Sequence, residues 1–177
     1  MDGKEILNIL RRNKKISAGI YGVYSADNIP TVVSYPTAYI VNTDESKLPG
    51  QHWVAFYFEH PKKKAEYFDS YGLLPIRNSF LEVLPVVYKY SSHTIQGLYS
   101  ITCGEYCLYF LEKRASNTSM QKIISSFSTN TDWNDNKVHE YITKKENCLV
   151  NTYNRNNAQA CNCNNTQSCL SKDSFRF

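Results

Sequence analysis

The spacing of apolar and polar residues changes several times along this chain, and each change predicts an element. Residues 4–13 read as a short amphipathic helix, with Ile6, Leu7, Ile9 and Leu10 on one side and Lys and Arg opposite. The next stretch, GIYGVYSADNIP, is punctuated by two Gly and a Pro and reads as a loop. Tyr39, Ile40 and Val41 form a short β-type run, and DESKLPGQ is a loop with a Pro-Gly turn. His52 then opens HWVAFYF, in which six apolar residues follow one another without alternation. That pattern belongs to a central strand buried on both faces. After the basic turn HPKKK, residues 66–69 form a second strand, hairpinned to the first. Residues 76–90 carry helical spacing at Phe80, Val83, Leu84 and Val87, with Pro85 set to cap or kink the helix.

The most informative stretch is residues 95–111, IQGLYSITCGEYCLYFL. An irregular segment turns into a helix at Cys103, and Tyr106, Cys107, Leu108, Phe110 and Leu111 then make that helix apolar on almost every side, so it is buried. The N-terminus of a buried helix carries unpaired N–H groups and about half a positive charge, which pushes a thiol there towards thiolate. Gly104 is expected to let another chain approach that thiol closely. Two weaker helices follow, at 120–127 and 133–144, the second with Asp132 as a candidate cap.

Beyond residue 147 the character changes. Residues 147–169 hold eight Asn and four Cys and few aliphatics, which cannot bury a core. The expected division is therefore a domain over 1–147 and a flexible Asn- and Cys-rich tail over 148–177. Cys148, Cys161, Cys163 and Cys169 have the chemistry to ligate zinc, but their spacing fits no common finger and no His lies near, so no metal site is expected.

Composition narrows the class further. A chain of 177 residues can form one domain with a real core, and 14 Tyr favour a sheet-containing fold. No apolar run approaches the roughly 20 residues of a membrane span, and the N-terminus lacks the apolar stretch of a signal peptide. An intracellular, reducing compartment is the expectation, in which six Cys read as thiols, ligands or a nucleophile before disulfides. The net charge of +4 is clustered at Arg11, Arg12, Lys14 and Lys15 and at Lys62, Lys63 and Lys64. Two solvated turns are the plain reading, and weak attraction to a nucleic acid the sharper one.

Four polar residues at element ends supply the inventory of a cysteine hydrolase. Cys103 is the candidate nucleophile, activated by an imidazole and a helix end. His52 would take its proton and later protonate the leaving group. Asp69 would fix the imidazole tautomer. Gln96 would donate to the developing oxyanion, with the Cys103 backbone N–H as second donor. His60 in a basic turn, His93 in a Ser-rich loop and His139 in a predicted helix fit less well, and Cys107, one helical turn on, should point into the core.

The segments IVNT, HWVAFYF, YFDSYG and IQGLYSITCGEYCLYFL, in that order and spacing, resemble the adenovirus-type cysteine endopeptidases (adenain), which also occur in Maverick/Polinton transposons. The resemblance runs from the N-terminal helix to about residue 145. It implies an α+β, papain-related fold shared with proteases of ubiquitin-like proteins, a central mixed sheet flanked by helices. It implies that His52, Asp69, Gln96 and Cys103 inherit the roles above, and that the reaction is cleavage of viral or transposon-encoded precursor proteins, with a monomer acting in host nucleus, cytoplasm or virion. No cofactor is required for the chemistry, although the family also implies activation by a peptide or by DNA. Removal of ubiquitin-like modifiers and non-catalytic binding are the alternative functions. The chain departs from the adenovirus enzymes in carrying Asp69 where they have Glu. It also lacks a Cys between Asp69 and Gln96, so their disulfide-linked activation is not expected here.

Overall fold

The computed structural model describes residues 1–13, 16 and 19–154, with the backbone alone at residue 20 and over 148–154. A five-stranded sheet has the order β1-β2-β3-β4-β5: β1 Ile20–Tyr24, β2 Thr37–Asn42, β3 Trp53–Phe58, β4 Ala65–Phe68 and β5 Tyr88–Tyr90. Its three middle strands are antiparallel and both edge strands pair in parallel, so the sheet is mixed. The described helices are α1 Gly3–Arg12, α2 Asn78–Val83, α3 Cys103–Ala115, α4 Met120–Ile124 and α5 Thr131–Asn154. Mixed sheet plus helices is the α+β class expected.

The unbroken apolar run of β3 has a direct cause. Ala55 and Tyr57 face a core built with Ile40, Phe68 and residues of α1, α3, α4 and α5. Val54, Phe56 and Phe58 face a second core with Tyr39, Val41, Tyr67 and, from α2, Phe80. Helices cover both faces, so both sets of alternating positions are apolar. Phe110 of α3 stacks on Phe68 of β4, ring centroids 4.5 Å apart, which seats α3 along the sheet.

α1 begins with a capping box. Asp2 accepts from the N–H groups of Lys4 and Glu5, and Glu5 Oε2 accepts from Asp2 N–H at 2.7 Å. Ile6 and Leu10 are the fully buried part of its apolar stripe.

Three elements differ from the sequence expectation. The stretch read as a loop contains β1. A Cβ on Gly22 would collide with the Tyr24 ring folded across it, so this Gly serves a close approach within a strand. The helix expected over 76–90 stops at Val83, because Leu84 precedes Pro85 and takes extended backbone (φ −81°, ψ 140°), and β5 follows. α5 is capped by Asn130, whose Oδ1 accepts from Trp133 N–H at 3.0 Å, and not by Asp132. It also continues through residue 154, so the boundary expected after residue 147 falls inside a helix. Extending an existing helix needs no new nucleation, which lets it run into Asn-rich sequence. Cys161, Cys163 and Cys169 lie outside the described residues, as do Lys14 and Lys15.

Candidate active site

The β3–β4 hairpin brings the first two candidates together. Ala55 pairs with Phe68, which sets the start of β3 beside the end of β4, and His52 and Asp69 are the residues just beyond those two ends. His52 Nε2 lies 3.0 Å from Asp69 Oδ1. Asp69 is almost fully buried, and its carboxylate also accepts from Tyr71 N–H at 2.8 Å. Its backbone is clamped by Ser91: Asp69 N–H donates to Ser91 Oγ (2.9 Å), and that hydroxyl donates to Asp69 O (2.7 Å).

α3 packs on β3 with its N-terminus at the same end. Cys103 is the first helical residue and is 8% exposed. Its thiol is the second hydrogen-bonding partner of the His52 imidazole. Since Nε2 faces the carboxylate, which can only accept, the neutral ring keeps its proton there and offers the Nδ1 lone pair to the thiol.

The electrostatics follow from this layout. Burial works against a charged imidazole, but hydrogen bonds to Asp69 and Cys103 and their negative charge outweigh it, and the His52 pKa is pushed up to about 9. Burial likewise opposes a thiolate at Cys103. The His52 hydrogen bond, the Trp53 backbone, the imidazolium charge and the Gly104 backbone overcome it, and the thiol is lowered. Both shifts favour the imidazolium–thiolate form of the pair. Cys107 is the opposite case. It is fully buried, burial raises its pKa well above the ordinary thiol value, and its Sγ donates to Trp53 O at 3.3 Å.

Gln96 is buried beside Asp69 because Ile95 and Gln96 N–H both donate to Ser70 O. Ser70 Oγ donates to its Oε1 at 2.5 Å. Its Nε2 donates to Ser100 O at 2.9 Å and, more weakly, to Tyr71 Oη at 3.3 Å, so both amide hydrogens are engaged in the resting site. The loop from Gln96 to Cys103 shows solvent three large apolar side chains, Leu98, Tyr99 and Ile101.

Sequence reading missed Tyr71 and Ser91. Tyr71 lies against the His52 ring, centroids 4.9 Å apart, and its hydroxyl reaches Gln96. It is one of 14 Tyr, and nothing in its local pattern sets it apart. Gly104 has a different use from the one expected. A Cβ there would meet Ile6 Cδ1 at 3.1 Å and Trp53 Cδ1 at 3.5 Å, so the glycine lets α1 and β3 close over the start of α3. His60 and His93 are exposed, and His139 pairs with Glu105 at 3.0 Å. Among the described residues no group of three or more His, Cys, Asp or Glu is gathered as a metal would need, and no helix is long and apolar enough to cross a membrane.

Fold and site together define an α+β domain in which an imidazole at a strand end lies between a carboxylate and a thiol, the thiol at the N-terminus of a buried helix. No family model matches the chain. The chain is similar to the cysteine protease S273R of African swine fever virus, 28% identical over 113 residues that make up 56% of this chain and 41% of that protein. It thus spans about two-fifths of the length of that relative. Among solved structures it is similar to a selenomethionine crystal structure of the same virus's pS273R protease, at 25% identity over 58% of this chain and 43% of that one, with a TM-score of 0.39. A second crystal structure of that protease is 18% identical over 73% of this chain and 63% of that one, with a TM-score of 0.46.

Proposed function

We propose that the chain is a cysteine endopeptidase of the viral, adenain-related type, which cleaves precursor proteins of a virus or virus-like transposon during particle maturation. The observation that carries this reading is the Cys103–His52–Asp69 arrangement at the α3 N-terminus, with the thiol lowered and the imidazole raised. The similarity to a named viral cysteine protease supports it.

The steps follow from the atoms present. Asp69 holds the Nε2–H and stabilises the imidazolium. The Cys103 thiolate attacks the scissile carbonyl carbon, and the carbonyl oxygen takes up the negative charge. The Cys103 backbone N–H and Gln96 Nε2 are the donors for that oxyanion. The 3.3 Å bond from Gln96 to Tyr71 is the weaker of its two, so it is the one exchanged for the oxyanion. Collapse of the tetrahedral adduct breaks the C–N bond, and the amine leaves with the proton from His52 Nδ1. Water, deprotonated by the same nitrogen, then hydrolyses the thioester and returns the thiol.

Digestion of a proteome-derived peptide library by the full chain, with mass-spectrometric mapping of new termini, tests the reading. New termini inside short peptides, absent with Cys103→Ala, are expected. Cleavage confined to the C-terminal tails of intact ubiquitin-like proteins would move the chain to the modifier-removing class, and no Cys103-dependent cleavage of either would overturn the proposal.

A further inference from the structure

We infer that Asp135 of α5 is a positioning residue for the oxyanion-binding loop, an inference that rests on the proposed protease reading. The loop between Gln96 and Cys103 has no regular structure, and Leu98, Tyr99 and Ile101 are 77%, 95% and 83% exposed. Hydrophobic burial therefore does little to fix its shape, although both proposed oxyanion donors sit at its two ends.

Polar contacts from α5 hold it instead. Gly97 N–H, next to Gln96, donates to Asp135 Oδ2 at 3.2 Å, with Oδ1 at 3.5 Å. Thr102 Oγ1, next to Cys103, donates to Asp135 Oδ1 at 3.2 Å. Tyr106 Oη, one turn into α3, lies 2.8 Å from the same oxygen. One half-buried carboxylate thus grips the residue after the first donor, the residue before the second, and the helix that carries the nucleophile. The neighbouring Asn134, fully buried, donates from Nδ2 to Ile95 O at 2.9 Å and extends the grip to the other side of Gln96. Within the loop, Ser100 N–H donates to Gly97 O at 3.0 Å and Ser100 O receives Gln96 Nε2, so the anchored backbone is also what aims the amide. Gly97 is required for this approach, since a Cβ there would lie 2.8 Å from Asp135 Oδ2.

The thiol–imidazole pair has supports besides Asp135: Ser91 clamps the Asp69 backbone, and α3 is held along its length by core packing against β3 and β4. Loss of Asp135 should therefore loosen the oxyanion donors without disturbing activation of the thiol. An oxyanion-hole donor is ordinarily worth about 10²–10³ in kcat, and a loosened pair should lose about 10².

The test uses the full chain, with Asp135→Ala and the milder Asp135→Asn, which keeps one acceptor oxygen but turns an N–H towards Gly97. Each is assayed for peptide hydrolysis and for iodoacetamide alkylation of Cys103, a reaction that needs no oxyanion hole. The expected result is a fall of about 10² in kcat with KM little changed, while the alkylation rate and its pH profile match the wild type. In a Gln96→Ala background the same substitutions should cost far less than in the wild type, because the donor they aim is gone. Should the Ala variant fail to fold, the Asn variant carries the same comparison. Unchanged kcat, equal costs in both backgrounds, or a parallel fall in alkylation would overturn the inference. A wild-type chain without Cys103-dependent hydrolysis would instead overturn the protease reading on which it rests.

Discussion

Cys103→Ala is expected to remove peptide hydrolysis, by a factor on the order of 10⁶, while the domain stays folded. The substitution deletes one sulfur at the start of α3, outside both apolar core clusters, and leaves the His52–Asp69 hydrogen bond in place. Cys107→Ala should do the reverse. Its sulfur is fully buried between α3 and β3 and donates to Trp53 O, so its loss should cost about 1 kcal/mol, a fall in Tm of roughly 2–4 °C, and spare turnover. Turnover and thermal unfolding of the two variants side by side check this. Equal loss of activity from two well-folded variants would show that the nucleophile is not Cys103 alone.

The second large effect is expected from Asp69→Asn. The carboxylate Oδ1 accepts both the imidazole Nε2–H and Tyr71 N–H. An amide in its place can turn its NH₂ towards the ring, which puts the ring proton on Nδ1 and leaves the thiol facing a donor with no lone pair to offer. Turnover should fall by roughly 10²–10⁴ with little change in stability. The pH dependence has a definite sign. The imidazolium exists below the His52 pKa, which burial lowers but Asp69 and Cys103 raise to about 9. Without the carboxylate the burial effect regains weight, the imidazolium is lost at lower pH, and the alkaline limb of kcat/KM moves down from about 9. Profiles of both proteins measure this, and an unshifted limb with unchanged turnover would demote Asp69 to a turn residue.

Much of the candidate site's placement was legible in the sequence because it is built from short-range features. The β3 run, the hairpin to β4 and the positions of His52 and Asp69 at its open end are fixed by patterns a few residues long. Cys103 at the onset of an all-round apolar helix is equally local. What escaped depends on pairings far apart in the chain. β1 and β5 join the sheet in parallel, with partners that no nearby turn specifies, and Gly19, Gly22 and Pro85 read locally as breaks. Asp135 and Asn134 reach the Gln96 loop from about 39 residues away, and a polar face on a helix is ordinarily solvated. Tyr71 and Gly104 acquire their roles only once His52 and α1 are in place around them.

Everything in this chemistry turns on His52 drawing Cys103 towards the thiolate. The rate of iodoacetamide alkylation of Cys103 as a function of pH, located by peptide mapping, tests it most directly. Selective modification of Cys103 over Cys107 is expected, with a rate that rises at a pH below the ordinary thiol value of about 8.5, and a shift to that value or above it in His52→Ala, where burial is left without the imidazole to oppose it. An ordinary thiol profile in the wild type, unaltered by His52→Ala, would contradict it.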